Sequence, residues 1–470
     1  MVVLDKVFLF DTVDSLSSDL ISLSRRIWEY AETAFDEHKS AEALASFLEA
    51  EGFNVTRNAA NISTAFTAAY GEGSPCCALL GEYDALSGLG HRAGEAKYSP
   101  PDSSAPGHGC GHNLLGVGSL GAAVALKRAI EKGLLRGKII YFGCPAEEGG
   151  SGKTFMAREK LFAKADFALD WHPGNANSVA LDSSLANYQI MYRFRGISSH
   201  AGGAPEKGRS ALDGVELMNI GVQFLREHIP TTHRIHYAIT DTGGFSPNVV
   251  QSNAEVLYLM RAPTIEEVEA LYERVNRIAH GAALMTDTTV EVDFVKACSQ
   301  VIPNRALADI LYKNLELVGP PVFEDADHAF ADSLAESYGG SVVPESAPEG
   351  FSGSLATYLN PYTPEIEGAS GGSTDVGDVS GMIPTARIYI ASAPIGIPSH
   401  SWQMTSCSGS SVGFKGMICA AKVLASAAAD ILESDEIITK AKEELSCRRN
   451  GSEYICPIPE GIVPRVLKFR

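Results

Sequence analysis

The sequence lacks several features that would place it in a specialised class of proteins. Lysine and arginine form no basic stripe, and 57 acidic against 38 basic residues give a net charge of −19, so nucleic acid is excluded as a partner. No apolar run is long enough to span a bilayer, so no membrane partner is expected. Internal repeats and low-complexity segments are also absent. What remains is an ordinary globular composition, with 45% hydrophobic and 20% charged residues.

The cysteines show no disulfide framework. There are nine of them, an odd number, and their spacing is irregular, which is typical of a reducing compartment. Asp5, Asp11 and Asp14 interrupt the apolar start of the chain and argue against a signal peptide. We therefore expect a cytoplasmic protein.

The first part of the chain has the pattern of an α/β domain. The length of 470 residues predicts two domains rather than one. In residues 1–186, a helical stretch over 16–51 and another over 113–132 alternate with apolar strands at 77–80, 138–144 and 167–171. This order favours parallel strands with helices on both faces.

The pattern changes at residue 187 to strand, helix, strand, strand, helix, strand, which is the order of a ferredoxin-like domain. Within it, Thr264 and Glu267 form a capping box that predicts the start of the second helix. The chain then returns to helix–strand–helix. We predict a catalytic domain in two parts, 1–186 and 304–470, with the ferredoxin-like domain, 187–303, inserted between them.

Candidate metal ligands begin with Cys110 and His112, which stand two positions apart among glycines. Such a pair alone is equally consistent with a buried thiol beside a hydrogen-bonded imidazole. Three further ligand types, Glu148, His172 and His400, follow apolar strands or lie in loops. The stretches that contain Cys110 and His112, Glu148, and His172 fall at strand ends or helix starts. We therefore expect them on one rim of the sheet, where ligands bind in α/β proteins.

The ligand types indicate which ions this rim would bind. A thiolate, a carboxylate and imidazoles favour Zn²⁺, Mn²⁺, Co²⁺ or Ni²⁺ over Mg²⁺ or Ca²⁺. Five ligands exceed the need of one tetrahedral ion and suit two ions that share a bridging group. The adjacent Glu147 is then a candidate general base. Taken alone, Glu147 and Glu148 would be a solvated acidic turn. Glu82 follows a buried strand, where carboxylates often serve a site, and the alternative for it is a loop salt bridge.

Nine motifs distributed over nearly the whole chain resemble those of the M20 metallopeptidases and, within them, the amidohydrolase branch. The motifs are GEYDAL at 81–86, HGCGHN at 108–113, PAEE at 145–148, DWHP at 170–173, SSHA at 198–201, GRSALD at 208–213, NVV at 248–250, STDVGDVS at 373–380 and SHSWQ at 399–403. The long loop before Cys110 and the ending YICPIP at 454–459 resemble the aminobenzoyl-glutamate hydrolase members of this branch most closely.

The resemblance implies an α/β fold with a mixed sheet flanked by helices, as in zinc exopeptidases, and an inserted ferredoxin-like lid or dimerisation domain. It also implies two divalent metal ions, zinc or manganese with cobalt or nickel as alternatives. The implied ligands are Cys110, His112, Glu148, His172 and His400, with Glu147 as the general base.

Outside the metal ligands, the resemblance implies that His200 reaches the active site of a partner chain and stabilises the oxyanion. Asn248 and Arg261 would hold the carbonyl or carboxylate of the substrate. For these two, a strand-edge hydrogen bond and a surface ion pair explain the residues equally well. Gly372 and Ser373 would line the pocket or form a flexible loop. A homodimer is expected, with a heteromer as the alternative.

Some positions depart from the family pattern. Ser87 replaces a proline, Gly202 and Gly203 replace alanines, and Gly381 stands where a tryptophan is common. These departures leave the metal ligands intact. They leave the substrate open, because the loss of a large ring near the site would widen or reshape the pocket.

Three hypotheses about function follow. The first is a metal-dependent, carboxypeptidase-like aminoacylase that hydrolyses the amide of an N-acyl, in particular N-aroyl, amino acid or of a dipeptide. The second keeps the same centre but breaks another C–N bond, such as that of an electron-poor aromatic amine. The third is a non-catalytic partner protein, and Glu147 argues against it because a structural metal site needs no base.

Overall fold

The computed structural model describes residues 4–102, 104–365 and 368–467. These residues form two compact units. The first unit comprises 1–182, 302–368 and 379–455, and the second comprises 183–301, 369–378 and 456–470. The second unit is therefore largely an insertion in the sequence of the first.

Helices and strands alternate along most of the chain. The helices are α1 Lys6–Tyr30, α2 His38–Ala50, α3 His112–Glu131, α4 Gly152–Arg158, α5 Ala211–Arg226, α6 Ile265–Met285, α7 Arg305–Val318, α8 Asp325–Glu336, α9 Val376–Met382, α10 Trp402–Ser408, α11 Ser411–Leu432 and α12 Asp435–Arg448. The strands are β1 Asn54–Arg57, β2 Phe66–Gly71, β3 Cys76–Glu82, β4 Lys138–Cys144, β5 Phe167–Gly174, β6 Ser178–Ala180, β7 Ala186–Arg195, β8 Arg234–Asp241, β9 Asn253–Ala262, β10 Thr289–Cys298 and β11 Thr385–Ala391.

The first unit is built on a seven-stranded mixed sheet with the order β1-β2-β4-β3-β5-β11-β6. The four central strands, β4, β3, β5 and β11, are parallel, as the sequence pattern predicts. The outer strands β1, β2 and β6 run antiparallel to their neighbours. These short outer strands lack the long apolar runs that marked the central ones. The sheet and its flanking helices confirm the predicted fold class.

The central strands carry the candidate ligands to one rim. Strands β3, β4 and β5 are buried almost throughout, because each lies between helices. Buried leucines and alanines of α1, α3 and α11 pack against one another in the main hydrophobic core. The side chains at the carboxyl ends of β3, β4 and β5 are therefore held by well-packed strands.

The second unit contains a four-stranded antiparallel sheet with the order β10-β7-β9-β8. Helix α5 follows β7, and α6 follows β9, which gives the predicted ferredoxin-like order. The predicted capping box is present, with Thr264 and Glu267 each accepting the other's backbone N–H. Buried Val215, Met218 and Val222 on α5 form the stripe that its periodicity indicates.

One predicted helix is wrong. The stretch 16–51 is not continuous but consists of α1 and α2, separated by residues 31–37. The break occurs where Ala31 adopts a left-handed conformation with φ +43° and its N–H bonds to Ile27. The apolar periodicity on either side is helical, so periodicity alone does not reveal the break.

Helix α11 qualifies the expectation that no segment could span a bilayer. Its 22 residues are long and apolar enough to do so by length and composition. However, 83% of the apolar 18-residue stretch of this helix is buried inside the protein. The helix packs on α3 and β11 in the core. Its hydrophobicity is therefore accounted for by its central position in the first unit.

Candidate metal centre

The glycine-rich loop before α3 presents Cys110 and His112. Gly111, with φ +78°, forms the left-handed N-cap of α3, so His112 becomes the first residue of the helix. His108 lies under the loop, where its Nε2 donates to the carbonyl of Ile27 across 3.0 Å. Burial lowers the pKa of His108 to about 3, so this histidine is a neutral anchor of the loop.

His112 has its tautomer fixed by a carboxylate. Its Nδ1 donates to Asp84 Oδ1 across 2.8 Å, and both side chains are buried. Asp84 therefore holds a proton on Nδ1, and the buried Nε2, which makes no hydrogen bond within the described residues, is the atom left to bind an ion. Burial lowers the pKa of His112, but the Cys110 thiolate and Asp84 outweigh it and raise the net value in the metal-free protein. A carboxylate behind a histidine is the usual support of a metal-ligating imidazole.

His172 is oriented in the same way at the end of β5. Its Nδ1 donates to the carbonyl of Pro173 across 2.7 Å, which leaves Nε2 directed at Cys110, 3.4 Å from Sγ. Its ring lies at right angles to that of His112, with centroids 5.9 Å apart. Two imidazoles and one thiol thus converge on one point.

Glu148 and His400 form the other side of the centre. His400 Nε2 lies 3.2 Å from Glu148 Oε1. The backbone secures both residues: the N–H of Glu148 donates to Asp84 Oδ2 across 2.9 Å, and that of His400 donates to the carbonyl of Gly109 across 3.1 Å. Asp84 therefore links the turn after β4, through Glu148, to the start of α3, through His112.

The five predicted ligands form two groups that share Cys110. One group is Cys110, His112 and His172, and the other is Cys110, Glu148 and His400. Within each group the potential ligand atoms all lie within 4.8 Å of one another. The structure thus brings together all five residues that the sequence singled out.

The charges of the site interact strongly. Burial and Glu148 raise the pKa of the Cys110 thiol, but His172 and His112 outweigh them and lower it to about 6. Hydrogen bonds to Cys110 and Glu148 raise the pKa of His400 to about 10. Burial opposes ionisation of Glu148, yet the hydrogen bond from His400 and the charge of His112 lower its pKa. The centre therefore contains a thiolate and a carboxylate at neutral pH.

These residues fit divalent metal ions. Nε2 of His112 and Nε2 of His172 both face the centre because their Nδ1 atoms are occupied by oxygen acceptors. A thiolate shared by two groups can bridge two ions. The mixture of sulfur, nitrogen and oxygen donors selects transition metals or zinc rather than magnesium or calcium.

Two residues near the centre, Glu82 and Lys153, are not among the predicted site residues. Glu82 is the last residue of β3 rather than part of a loop, and its Oε1 pairs with Lys153 Nζ at 2.6 Å with both groups buried. Its Oε2 lies 3.2 Å from His112 Nε2. Glu82 also forms a third potential ligand group with His112 and Glu147. The strand-end carboxylate was a usable signal, whereas nothing in the sequence marked Lys153.

His200 and Asn248 lie in the second unit and are close to each other. His200 and Val249 form an isolated bridge, and the carbonyl of Asn248 accepts the N–H of Ala201 across 2.9 Å. The exposed His200 ring accepts the N–H groups of Gly202 and Gly203 at its Nδ1, at 3.2 and 3.0 Å. Its proton therefore sits on Nε2, which makes that atom a hydrogen-bond donor.

The remaining predicted substrate residues form a second group in the same unit. Arg261 on β9 donates from Nη1 to Ser373 Oγ across 2.7 Å. The carbonyl of Gly372 accepts the N–H of Leu185 across 2.8 Å. Arg261 is thus hydrogen-bonded to the predicted Gly372–Ser373 loop.

The departure at Gly381 has a structural counterpart. A Cβ atom at Gly381 would lie 2.8 Å from Cδ2 of Tyr454. The tyrosine ring thus occupies the space beside the glycine. The ring comes from the chain ending instead of from residue 381.

Comparison with known proteins gives consistent results. The sequence profile of Peptidase family M20/M25/M40 matches residues 78–401. The chain is 43% identical to one of the subunits of p-aminobenzoyl-glutamate hydrolase from Escherichia coli, over 98% of this chain and 99% of that one. It is 28% identical to mouse Xaa-Arg dipeptidase, over 95% and 93%. The crystal structure of an aminobenzoyl-glutamate utilization protein from Klebsiella pneumoniae shares the fold, with a TM-score of 0.61 at 18% identity, over 90% and 98%.

Proposed function

Because the chain belongs to peptidase family M20/M25/M40 and is a metal-dependent amidohydrolase, we propose that it hydrolyses the amide bond of an N-aroyl amino acid. We propose a substrate of the aminobenzoyl-glutamate type. The name of the Escherichia coli relative supports this choice, since the two chains align over almost their full lengths. Cytoplasmic localisation is part of the same proposal and rests on the cysteine pattern.

The observation that carries the proposal is the sharing of Cys110 by two ligand groups beside Glu147. We propose Cys110, His112 and His172 as the ligands of one ion and Cys110, Glu148 and His400 as those of the other. Two ions held by these residues would supply Lewis-acid chemistry, which polarises an amide carbonyl and lowers the pKa of a bound water. Zinc and manganese fit these donors, with cobalt and nickel as alternatives.

We propose Glu147 as the general base and then the general acid. Its carboxylate would take a proton from the attacking water and deliver it to the nitrogen of the leaving amino acid. Glu147 has a potential ligand atom within 4.8 Å of those of His112 and Glu82, which supports a position beside the reacting atoms. Asp84 would hold the turn that carries Glu147 through the N–H of the next residue.

The second unit supplies the proposed substrate contacts. His200 would donate from Nε2 to the developing oxyanion in a partner chain, and its tautomer supports this role. Asn248, Arg261, Gly372 and Ser373 would bind the substrate. We propose a homodimer, because β8 is an edge strand with exposed Tyr237 and Ile239 and can pair with a second copy. The Escherichia coli relative is named as one subunit of a hydrolase, which keeps a heteromer as the alternative.

Two observations favour alternative substrates. The mouse relative is named as a dipeptidase, which favours a dipeptide. The departures at Ser87, Gly202, Gly203 and Gly381 directly follow family motifs, so the same centre could serve another C–N bond, such as that of an electron-poor aromatic amine. A non-catalytic partner protein is the third alternative, and a base beside the ligands argues against it.

The test is turnover of a panel by the purified chain loaded with Mn²⁺ or Zn²⁺. The panel contains aminobenzoyl-glutamate, other N-acyl amino acids, dipeptides and electron-poor aromatic amines, each with a chelator control. Chelator-sensitive release of glutamate from aminobenzoyl-glutamate is the expected result. Release of ammonia from a ring, with the amides untouched, would reject the amide assignment, and an inactive monomer would favour a missing partner.

A further inference from the structure

The turn after β4 carries both Glu147 and Glu148 and has an unusual backbone. Ala146 is fully buried and left-handed, with φ +60°, a conformation that alanine adopts only when its surroundings enforce it. Its carbonyl accepts the N–H of Gly150 across 2.8 Å, which closes the turn. Something must therefore hold the turn in this shape.

A second buried carboxylate, Glu37, provides such a contact. Glu37 has no exposed surface, and its Oε1 accepts the backbone N–H of Ala146 across 2.8 Å. Two residues further along the turn, the N–H of Glu148 is bound by Asp84 Oδ2. Two carboxyl side chains from different parts of the chain, Glu37 and Asp84, thus accept hydrogen bonds from N–H groups two residues apart in the turn.

The segment that carries Glu37 is itself fixed against the site. It is the break between α1 and α2, and its Glu32 carbonyl accepts the N–H of Ala85 across 2.8 Å, next to Asp84. Phe35, also left-handed at φ +62°, lies over Gly150, where a Cβ atom would come within 2.3 Å of the ring. The segment therefore packs on both ends of the turn.

We propose that Glu37 is a positioning residue for catalysis: its hydrogen bond to the N–H of Ala146 fixes the turn that places Glu147 at the reacting atoms. Glu37 binds the backbone of the turn and is not itself one of the proposed metal ligands. Without its acceptor, the buried N–H of Ala146 would be unsatisfied, and the turn would relax towards a conformation that alanine prefers. A small displacement of a base is enough to slow proton transfer strongly.

The charge of Glu37 is not what this role requires. Burial, followed by the charge of Asp84, raises the pKa of Glu37 to about 8, so the carboxyl is largely neutral at pH 7. A glutamine offers the same carbonyl oxygen as an acceptor at the same reach. The conservative variant Glu37→Gln should therefore preserve the function that an apolar variant removes.

This inference rests on the proposed function, in which Glu147 is the base, and its test keeps the two apart. The metal-loaded variants Glu37→Leu, Glu37→Gln and Glu147→Gln are compared on the panel substrate that the wild-type protein hydrolyses. The matched control is Glu32→Leu, in the same segment, because the Glu32 carboxylate caps α2 at Lys39 and Ser40 and does not bind the turn. Metal content and circular dichroism accompany each assay.

We expect Glu37→Leu to lower kcat about tenfold or more, with KM little changed and metal content retained. Glu37→Gln should keep most of kcat, and Glu32→Leu should lose thermal stability but not kcat. Wild-type kcat in Glu37→Leu, or a Glu37→Gln variant as slow as Glu37→Leu, would overturn the inference. If Glu37→Leu does not fold, Glu37→Asp, which is one methylene shorter, replaces it with the same expectation. An active Glu147→Gln would instead overturn the proposed function.

Discussion

Asp84 accepts the Nδ1 proton of His112 with one carboxylate oxygen, across 2.8 Å, and the N–H of Glu148 with the other. One buried side chain thus sets the orientation of a ligand in each of the two groups. The residue comes two positions after the strand-end Glu82, and its partners lie 28 and 64 residues further along the chain. The position of Asp84 explains how distant loops reach a common geometry.

Replacing Asp84 by asparagine should weaken metal binding. The amide has only one acceptor oxygen, so it can no longer serve both N–H donors, and loss of such a supporting carboxylate costs about 10–100-fold in metal affinity or activity. The measurement is a competition titration with a chromophoric chelator. Asp166→Asn serves as the control, because Asp166 also accepts a backbone N–H but does so at the start of β3, from Cys76. Equal affinities of Asp84→Asn and wild type would contradict the prediction.

Replacing Glu147 should separate catalysis from metal binding. Glu147→Gln removes the proton acceptor but keeps the shape of the side chain, so kcat should fall by about 10²–10⁴. Metal content should stay at the wild-type level, because Glu147 belongs to neither group that shares Cys110. Initial rates with metal analysis on the same samples provide the measurement. Full activity, or loss of metal together with activity, would show that the role is different.

Much of the centre was predictable because its residues occur in short motifs. Cys110 and His112 are two positions apart, and β3, β4 and β5 are apolar runs whose ends meet at one rim. The central parallel strands and the inserted antiparallel domain follow from the same periodicities. These features depend on local sequence, and the mixed sheet with its flanking helices confirms the predicted fold class.

What could not be predicted depends on contacts between distant residues. Lys153 pairs with Glu82 from 71 residues away in sequence, and Glu37 reaches Ala146 across 109 residues. Neither contact produces a periodic signal. The break between α1 and α2 was missed because a left-handed alanine is set by its packing rather than by its identity. Likewise, the Tyr454 ring beside Gly381 comes from a different segment of the chain.

Metal binding should weaken as the pH falls. In the metal-free protein, hydrogen bonds to Cys110 and Glu148 raise the pKa of His400 to about 10, so this imidazole is protonated at neutral pH. Burial lowers the pKa of His172, but the Cys110 thiolate outweighs it and raises the net value. His400 must release a proton to bind an ion, and so must His172 and His112 wherever the pH lies below their raised pKa values. Cys110, with its pKa of about 6, is already ionised at pH 7.

Each proton released makes the affinity fall about tenfold for every unit by which the pH lies below the pKa concerned. Chelator competition at pH 6.5, 7.5 and 8.5 measures the slope, and calorimetry in buffers of different ionisation enthalpy counts the protons. His400→Ala should lower by one the number of protons released on metal binding, and it should also weaken the binding of one ion. An affinity that does not change with pH would mean that the imidazoles are neutral before metal binds.

Hybrid dimers should reveal whether His200 acts in a partner chain. A Glu147→Gln chain has a defective centre but an intact His200, and a His200→Ala chain has the reverse. If His200 of the partner subunit completes each centre, half of the dimers in an equimolar, re-equilibrated mixture are hybrids, and each has one complete centre. The mixture should then recover about a quarter of wild-type activity, although neither variant alone is active.

The recovery depends on exchange of chains, so the mixture must be dissociated and reassociated, and an unmixed sample of each variant serves as the control. A third chain that carries both substitutions gives the baseline, because its hybrids with the His200→Ala chain contain no complete centre. Recovery with the single variants but not with the double variant would place His200 across the dimer. If the His200→Ala chain is active by itself, the Nε2 donor is not required for the reaction. If both single variants are inactive and stay inactive after verified exchange, His200 serves the centre of its own chain.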